Sequence, residues 1–173
     1  MKKSLYELLQ LQSIVLSGDV TEEMTISLIQ WYGKLVNEEE CAIFMYSNGG
    51  CYAAARNIEG ILKDIKKHTK LHIIAVGDII SGGIYIFNQG TYRYCLPEVQ
   101  YTIHRSYFPS LKNVSIENID ALAKNLKNDK LWEGAKKTLK LSKADIDLVE
   151  SGKDLVLDAQ QAKKAKLVDR ILK

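Results

Sequence analysis

The chain has 173 residues, of which 46% are hydrophobic and 26% charged, enough apolar side chains for one well-buried core; a disordered, collagen-like or low-complexity chain is excluded. Lys and Arg number 24 against 21 Asp and Glu, a formal net charge of +3, and the charges are interspersed, so no nucleic-acid-binding face is expected. Cys41, Cys51 and Cys95 are odd in number and lack metal-ligand spacing, which argues against a disulfide framework or a zinc site and for the reduced thiols of a cytoplasmic protein.

After Met1-Lys2-Lys3, the residues Glu7, Gln10 and Gln12 interrupt the apolar run that a secretory signal needs. Ser4 and Glu7 have capping-box spacing ahead of Leu8, Leu9 and Leu11, so a short helix opens the chain. Residues 13–17 carry Ile14-Val15-Leu16 and read as a buried strand stopped by Gly18-Asp19. Thr21 caps a helix reaching about Val36. A strand over 41–46 ends at Ser47-Asn48-Gly49-Gly50, and 51–67 has helical spacing. A third unit follows: strand 71–76, the loop Gly77-Asp78 and an apolar helix over about 81–89. Its apolar windows, 71–76 and 79–87, are each too short to span a bilayer.

Three strand-then-helix units with near-continuous apolar strands predict an α/β domain with a mostly parallel sheet and right-handed crossovers. Short strands are expected at 92–95 and 99–104 around Pro97. One long amphipathic helix is expected over about 115–139, then a shorter one capped by Ser142. Asp158 is placed to cap a last helix, with Ala162, Leu167, Val168 and Ile171 returning to the core.

Function in open α/β sheets collects beyond the carboxyl ends of the strands, which singles out the loops 47–51 and 77–83. Neither has a phosphate-loop or dinucleotide glycine pattern, so nucleotide binding is disfavoured. Ser81, ahead of Gly82-Gly83, is a nucleophile or merely a helix cap, and pattern alone favours the cap. His104, at the end of a predicted strand, and Asp154, in the loop Ser151-Gly152-Lys153-Asp154, are the other candidates. Read singly, each is an ordinary structural histidine or a solvated aspartate. His68 and His72, four apart, read as surface or helix-end histidines rather than metal ligands. Cys51 reads as a packed small thiol, and Trp31 and Trp132 as packing anchors.

The segments Ser47-Asn48-Gly49-Gly50, Ala75-Val76-Gly77-Asp78-Ile79-Ile80-Ser81-Gly82-Gly83, Tyr94-Cys95-Leu96-Pro97, Tyr101-Thr102-Ile103-His104 and Ala162-Lys163-Lys164-Ala165-Lys166-Leu167-Val168-Asp169 together resemble, in order and approximate spacing, the proteolytic subunit of the Clp protease family. The resemblance covers nearly the whole chain. It implies a crotonase-like α/β fold and a single peptidase domain over 1–173, with a head of about 1–110 and 151–173 and a protruding helical handle of about 111–150. It further implies a cytoplasmic serine endopeptidase acting on unfolded chains or short peptides. Ser81 would be the nucleophile, His104 the base, Asp154 the orienting carboxylate, and the Gly50 and Gly82 N–H groups the oxyanion hole. No cofactor or metal is implied. The partners it implies are other copies, in a heptameric ring or stacked double ring, and a Clp-type unfoldase.

Departures from the family pattern are Asn48 for proline, Asp78 for glutamine, Ile80 for alanine, Arg105-Ser106 for Gln-Pro, and Gly152-Lys153 for an Asp-Arg pair. With a first helix opening near Ser4, no axial segment is expected before it. These departures predict weak or unusual ring stacking, through Leu122, Leu126 and Leu131 on the long helix, and weak unfoldase coupling. A catalytically weak or inactive subunit of a mixed ring, or an acyl-CoA enzyme of the same fold, are the alternatives.

Overall fold

The computed structural model describes residues 3–35, 37–105 and 129–173. Helix α1, Leu5–Leu9, is closed by the capping box of Ser4 and Glu7, as the spacing predicts. Strand β1, Gln12–Val20, runs past Gly18-Asp19, where the pairing register slips rather than stops. The glycine–aspartate pair therefore makes a bulge, which the sequence reading took for a strand end. Thr21 caps α2, Glu22–Tyr32, by accepting from the Met24 N–H. Strands β2, Glu40–Gly50, and β3, Lys70–Ile80, flank α3, Tyr52–His68. Both strands continue through the glycine-bearing segments that were expected to be loops.

Strands β1, β2 and β3 pair in parallel, and both faces of the sheet are covered. Cys41, Ile43 and Met45 enter the main core, whereas Ala42 and Phe44 join Leu8 of α1 and Ile74 in a second cluster on the opposite face. This alternation inside an unbroken apolar run is what a doubly covered parallel strand requires. In the main core the Cys41 thiol, fully buried, is pushed up to about 12, chiefly by desolvation.

The short helix α4, Gly82–Phe87, is wholly buried. Strands β4, Tyr92–Cys95, and β5, Tyr101–Ile103, do not pair with each other; each runs parallel to a different stretch of β3, β4 at 72–75 and β5 at 79–80. Where they part, the Asp78 carboxylate accepts the Gln100 N–H at 2.9 Å, a use for the aspartate that departs from the family pattern.

Helix α5, Lys130–Thr138, is capped by Asp129, whose ψ of 89° is not helical. The expected continuous helix over 115–139 is thus broken at 129, because the aspartate side chain takes the Trp132 N–H at 3.1 Å. Its portion at 106–128, with Leu122 and Leu126, lies outside the described residues. Leu131, expected at a contact between rings, is instead buried, and with Trp132 and Ala135 it packs into the main core. Ser142 and Asp145 box the start of α6, Lys143–Glu150, whose end turns at Gly152-Lys153 with backbone bonds to Val149 and Leu148.

Strand β6, Leu155–Leu157, which sequence reading missed, pairs antiparallel with β5. Helix α7, Ala159–Lys164, starts at Asp158 as predicted, and β7, Arg170–Ile171, joins β4 to complete a seven-stranded sheet among the described residues. Asp169 accepts from the Arg93 backbone and guanidinium at 2.8–3.1 Å, which ties the terminal motif to the sheet. Among the described residues no helix is long and apolar enough to cross a membrane.

Candidate active site

The carboxyl ends of β1, β2, β3 and β5 converge on a cavity of about 680 Å³. Asp19, Gly49, Gly50, Ser81, Gly82, His104 and Asp154 all line it. This is the end of a parallel sheet where loops leave room for a ligand.

Ser81 stands between β3 and α4 with φ 54° and ψ −118°, a backbone conformation that costs a non-glycine residue about 1–3 kcal/mol. Two bonds hold it there: its N–H donates to the Thr102 carbonyl at 2.9 Å, and its own carbonyl accepts from the Ile84 N–H at 2.9 Å. The cap assignment favoured by pattern alone is corrected. Although Ser81 occupies the N-cap position of α4, its hydroxyl makes no capping bond, since the strained backbone is not the extended conformation of a serine cap.

Glycine is required around it. A Cβ at Gly49, where φ is 85°, would lie 2.6 Å from the Ser81 Cβ, and one at Gly50, where φ is 142°, would lie 2.6 Å from the Val20 carbonyl oxygen. The position a Gly82 Cβ would take is 3.8 Å from the Gly50 nitrogen, so the two glycines expected to donate to an oxyanion are neighbours in space.

His104 follows the last residue of β5 and is half-buried. Its Nδ1 lies 2.8 Å from the Arg105 carbonyl. A carbonyl only accepts, so Nδ1 carries the proton, and in the neutral ring Nε2 keeps its lone pair. The His104 carbonyl in turn accepts from the Tyr85 hydroxyl at 3.2 Å. Asp154 is exposed at the cavity rim and makes no hydrogen bond to another described residue. The structure therefore brings Ser81, His104, Asp154, Gly50 and Gly82 to one cavity, with the imidazole held by a backbone carbonyl.

Sequence reading missed Asp19, Tyr85, Thr102 and Leu131 as lining residues. The Asn48 amide that stands in place of the family proline donates to the Asp19 carboxylate at 3.1 Å; a contact between residues 29 apart leaves no local signal. Cys51 is exposed and lines the cavity, so the packed-thiol reading is corrected; it precedes α3 at the cavity mouth, not in the core. His72 also departs from expectation, being fully buried in β3 because strand pairing begins at Lys70. Among the described residues no group of three His, Cys, Asp or Glu side chains is arranged to hold a metal ion.

A strained serine at a strand-to-helix junction, sharing a cavity with a histidine whose Nδ1 faces a backbone carbonyl, is the equipment of a hydrolase. The family model of the Clp proteases matches residues 1–173, and the protein belongs to that family. Its α/β architecture is of the Clp protease type, and membership supports a serine-protease function. No curated protein sequence matches the chain at a significant level.

Proposed function

We propose that the protein is a serine endopeptidase that hydrolyses peptide bonds of unfolded chains or short peptides. Ser81 Oγ attacks the scissile carbonyl while His104 Nε2 takes its proton, later delivering it to the leaving amine. The Gly50 and Gly82 N–H groups receive the oxyanion, where losing one donor costs about 100- to 1,000-fold in turnover. Asp154 is the third member: its carboxylate offsets the positive charge that the imidazole acquires, while the Arg105 carbonyl holds the tautomer.

The observation that carries this reading is the Ser81 backbone, strained at φ 54° with its hydroxyl unused for capping in the cavity that His104 lines. In the same reading the chain is one crotonase-like peptidase domain, with head and handle divided near 110 and 150. It works in the cytoplasm as a ring of like subunits, with weak coupling to a Clp-type unfoldase.

Treatment with a fluorophosphonate probe followed by peptide mapping tests the proposal. Modification of Ser81 alone, abolished in His104→Ala, is expected. Absence of label on Ser81 in protein that assembles would overturn it and favour a non-catalytic subunit of a mixed ring, the reading that an unengaged Asp154 suggests.

A further inference from the structure

We infer that Tyr85 is a positioning residue for His104, its hydroxyl holding the backbone of the base from the same short helix that begins at the nucleophile. The inference rests on the assignment of Ser81 and His104 above.

His104 lies beyond the sheet ladder on both sides of β5. The pairing with β3 ends at Ile80↔Thr102, and that with β6 ends at Ile103↔Leu155. Neither strand pairing reaches the peptide that carries the base. The Tyr85 hydroxyl supplies a bond at that point, 3.2 Å from the His104 carbonyl.

Tyr85 is suited to hold rather than follow. It is 5% exposed, packed in the main core, and lies four residues after Ser81 on a helix buried along its whole length. Its own carbonyl accepts from Gln89 Nε2 at 3.2 Å, and the same amide reaches Glu59 at 3.3 Å. The α4 end of the bond is thus anchored to α3.

Two hydrogen bonds then close a small ring with the covalent chain. The Ser81 N–H binds the Thr102 carbonyl and the Tyr85 O–H binds the His104 carbonyl, so residues 81–85 and 102–104 cannot slide past one another without breaking one of them. The imidazole feels this constraint through the next peptide, because its Nδ1 is bonded to the carbonyl of Arg105. Burial, with the neighbouring Asp129 and Tyr52 adding to it, pushes the Tyr85 hydroxyl well above its usual range. It stays a protonated donor throughout the range in which the base works.

Tyr85→Phe keeps the ring and removes the donor. In the full chain we expect kcat to fall about 3- to 10-fold, the loss of one neutral hydrogen bond read as rate, with KM within about twofold. A second readout needs no turnover: the Nδ1 proton of His104, observed by 15N-histidine NMR and assigned with His104→Gln, exchanges with water at least about 3-fold faster in Tyr85→Phe. Tyr92→Phe, on the opposite face of the sheet, changes neither quantity.

Unchanged kcat and unchanged exchange overturn the inference, and so does a loss confined to KM, which would make Tyr85 a wall of the substrate pocket. If the unmodified protein hydrolyses nothing and Ser81 takes no label, the peptidase reading fails while the NMR comparison still decides the role of Tyr85. Should Tyr85→Phe not fold, 3-fluorotyrosine placed at position 85 alone keeps the hydroxyl and makes it more acidic at the cost of one ring fluorine; the His104 Nδ1 signal then shifts, or the inference is wrong.

Discussion

Gly49 lies directly against Ser81, so close that a methyl group on it would sit 2.6 Å from the serine Cβ and 3.2 Å from its Oγ. Gly49→Ala therefore combines a positive φ with a collision at Ser81, and on the peptidase reading at least a tenfold loss of turnover is expected, a displacement worth about 1.4 kcal/mol or more. Gly18 has the same φ of 85° but open space around it, so Gly18→Ala should cost only the backbone strain of about 1–2 kcal/mol in stability and leave kcat unchanged. Equal kinetic losses in the two variants would show that the contact with Ser81 is irrelevant.

Ser81→Gly separates strain from chemistry. It removes the hydroxyl and relieves the positive φ, so peptide hydrolysis should vanish while stability rises by about 1 kcal/mol. Ser81→Ala should be inactive without that gain. Thermal unfolding of both variants beside the parent checks this, and a Ser81→Gly protein less stable than Ser81→Ala would contradict the strained backbone.

Asp154→Asn should be milder than His104→Ala. Where an aspartate alone fixes the tautomer, its amide replacement costs about 10,000-fold through the wrong tautomer. Here the Arg105 carbonyl meets Nδ1 at 2.8 Å, so we expect a loss well short of about 10,000-fold. Combining either substitution with Ser81→Ala should add little, since such residues act as a unit. The comparison is made by kcat/KM on one peptide; a loss in Asp154→Asn as large as in His104→Ala would mean that the carbonyl does not hold the working ring.

A separate acid-sensitive element lies on the sheet face away from the cavity. His72 is fully buried, stacked on Tyr92 and Tyr94, with Nδ1 3.3 Å from the Tyr94 hydroxyl and Nε2 3.6 Å from Glu40, which Lys3 holds at 2.7 Å. Desolvation pulls its pKa below 6.5, outweighing the Glu40 carboxylate. The unfolded chain thus binds the proton more readily, and the stability contributed by neutral His72 is present above pH 6.5 and is lost as pH falls below it. Tm measured from pH 7.5 to 5 should drop less steeply for His72→Phe than for the parent; parallel curves would remove His72 as the cause.

The order of elements was legible because caps and apolar runs are local signals. Ser4, Thr21, Ser142 and Asp158 begin helices as read. Glycine misled at 18 and at 47–50, where parallel pairing to a neighbouring strand carried the backbone on through turn-like residues. Strand β6 was invisible because three residues, Leu155–Leu157, acquire strand character only by pairing with β5. At the site, Ser81 and His104 stood out by their positions at junctions, and the family pattern was needed to join Asp154 to them. Tyr85 gave no signal, for on a short buried helix an aromatic residue reads as core, and only the register of α4 against β5 brings its hydroxyl to the His104 carbonyl.

The charges around the cavity bear on what happens after the bond is cut. Asp19 and Asp154 line it, and no Lys or Arg does among the described residues. A substrate amide is neutral, but on the peptidase reading hydrolysis leaves a carboxylate where the oxyanion had been. That new anion forms in a partly enclosed cavity that Asp19 and Asp154 also line, where screening by water is reduced. On that reading the new carboxylate meets a repulsion that the neutral scissile amide does not, which favours release of the acid product over retention of it.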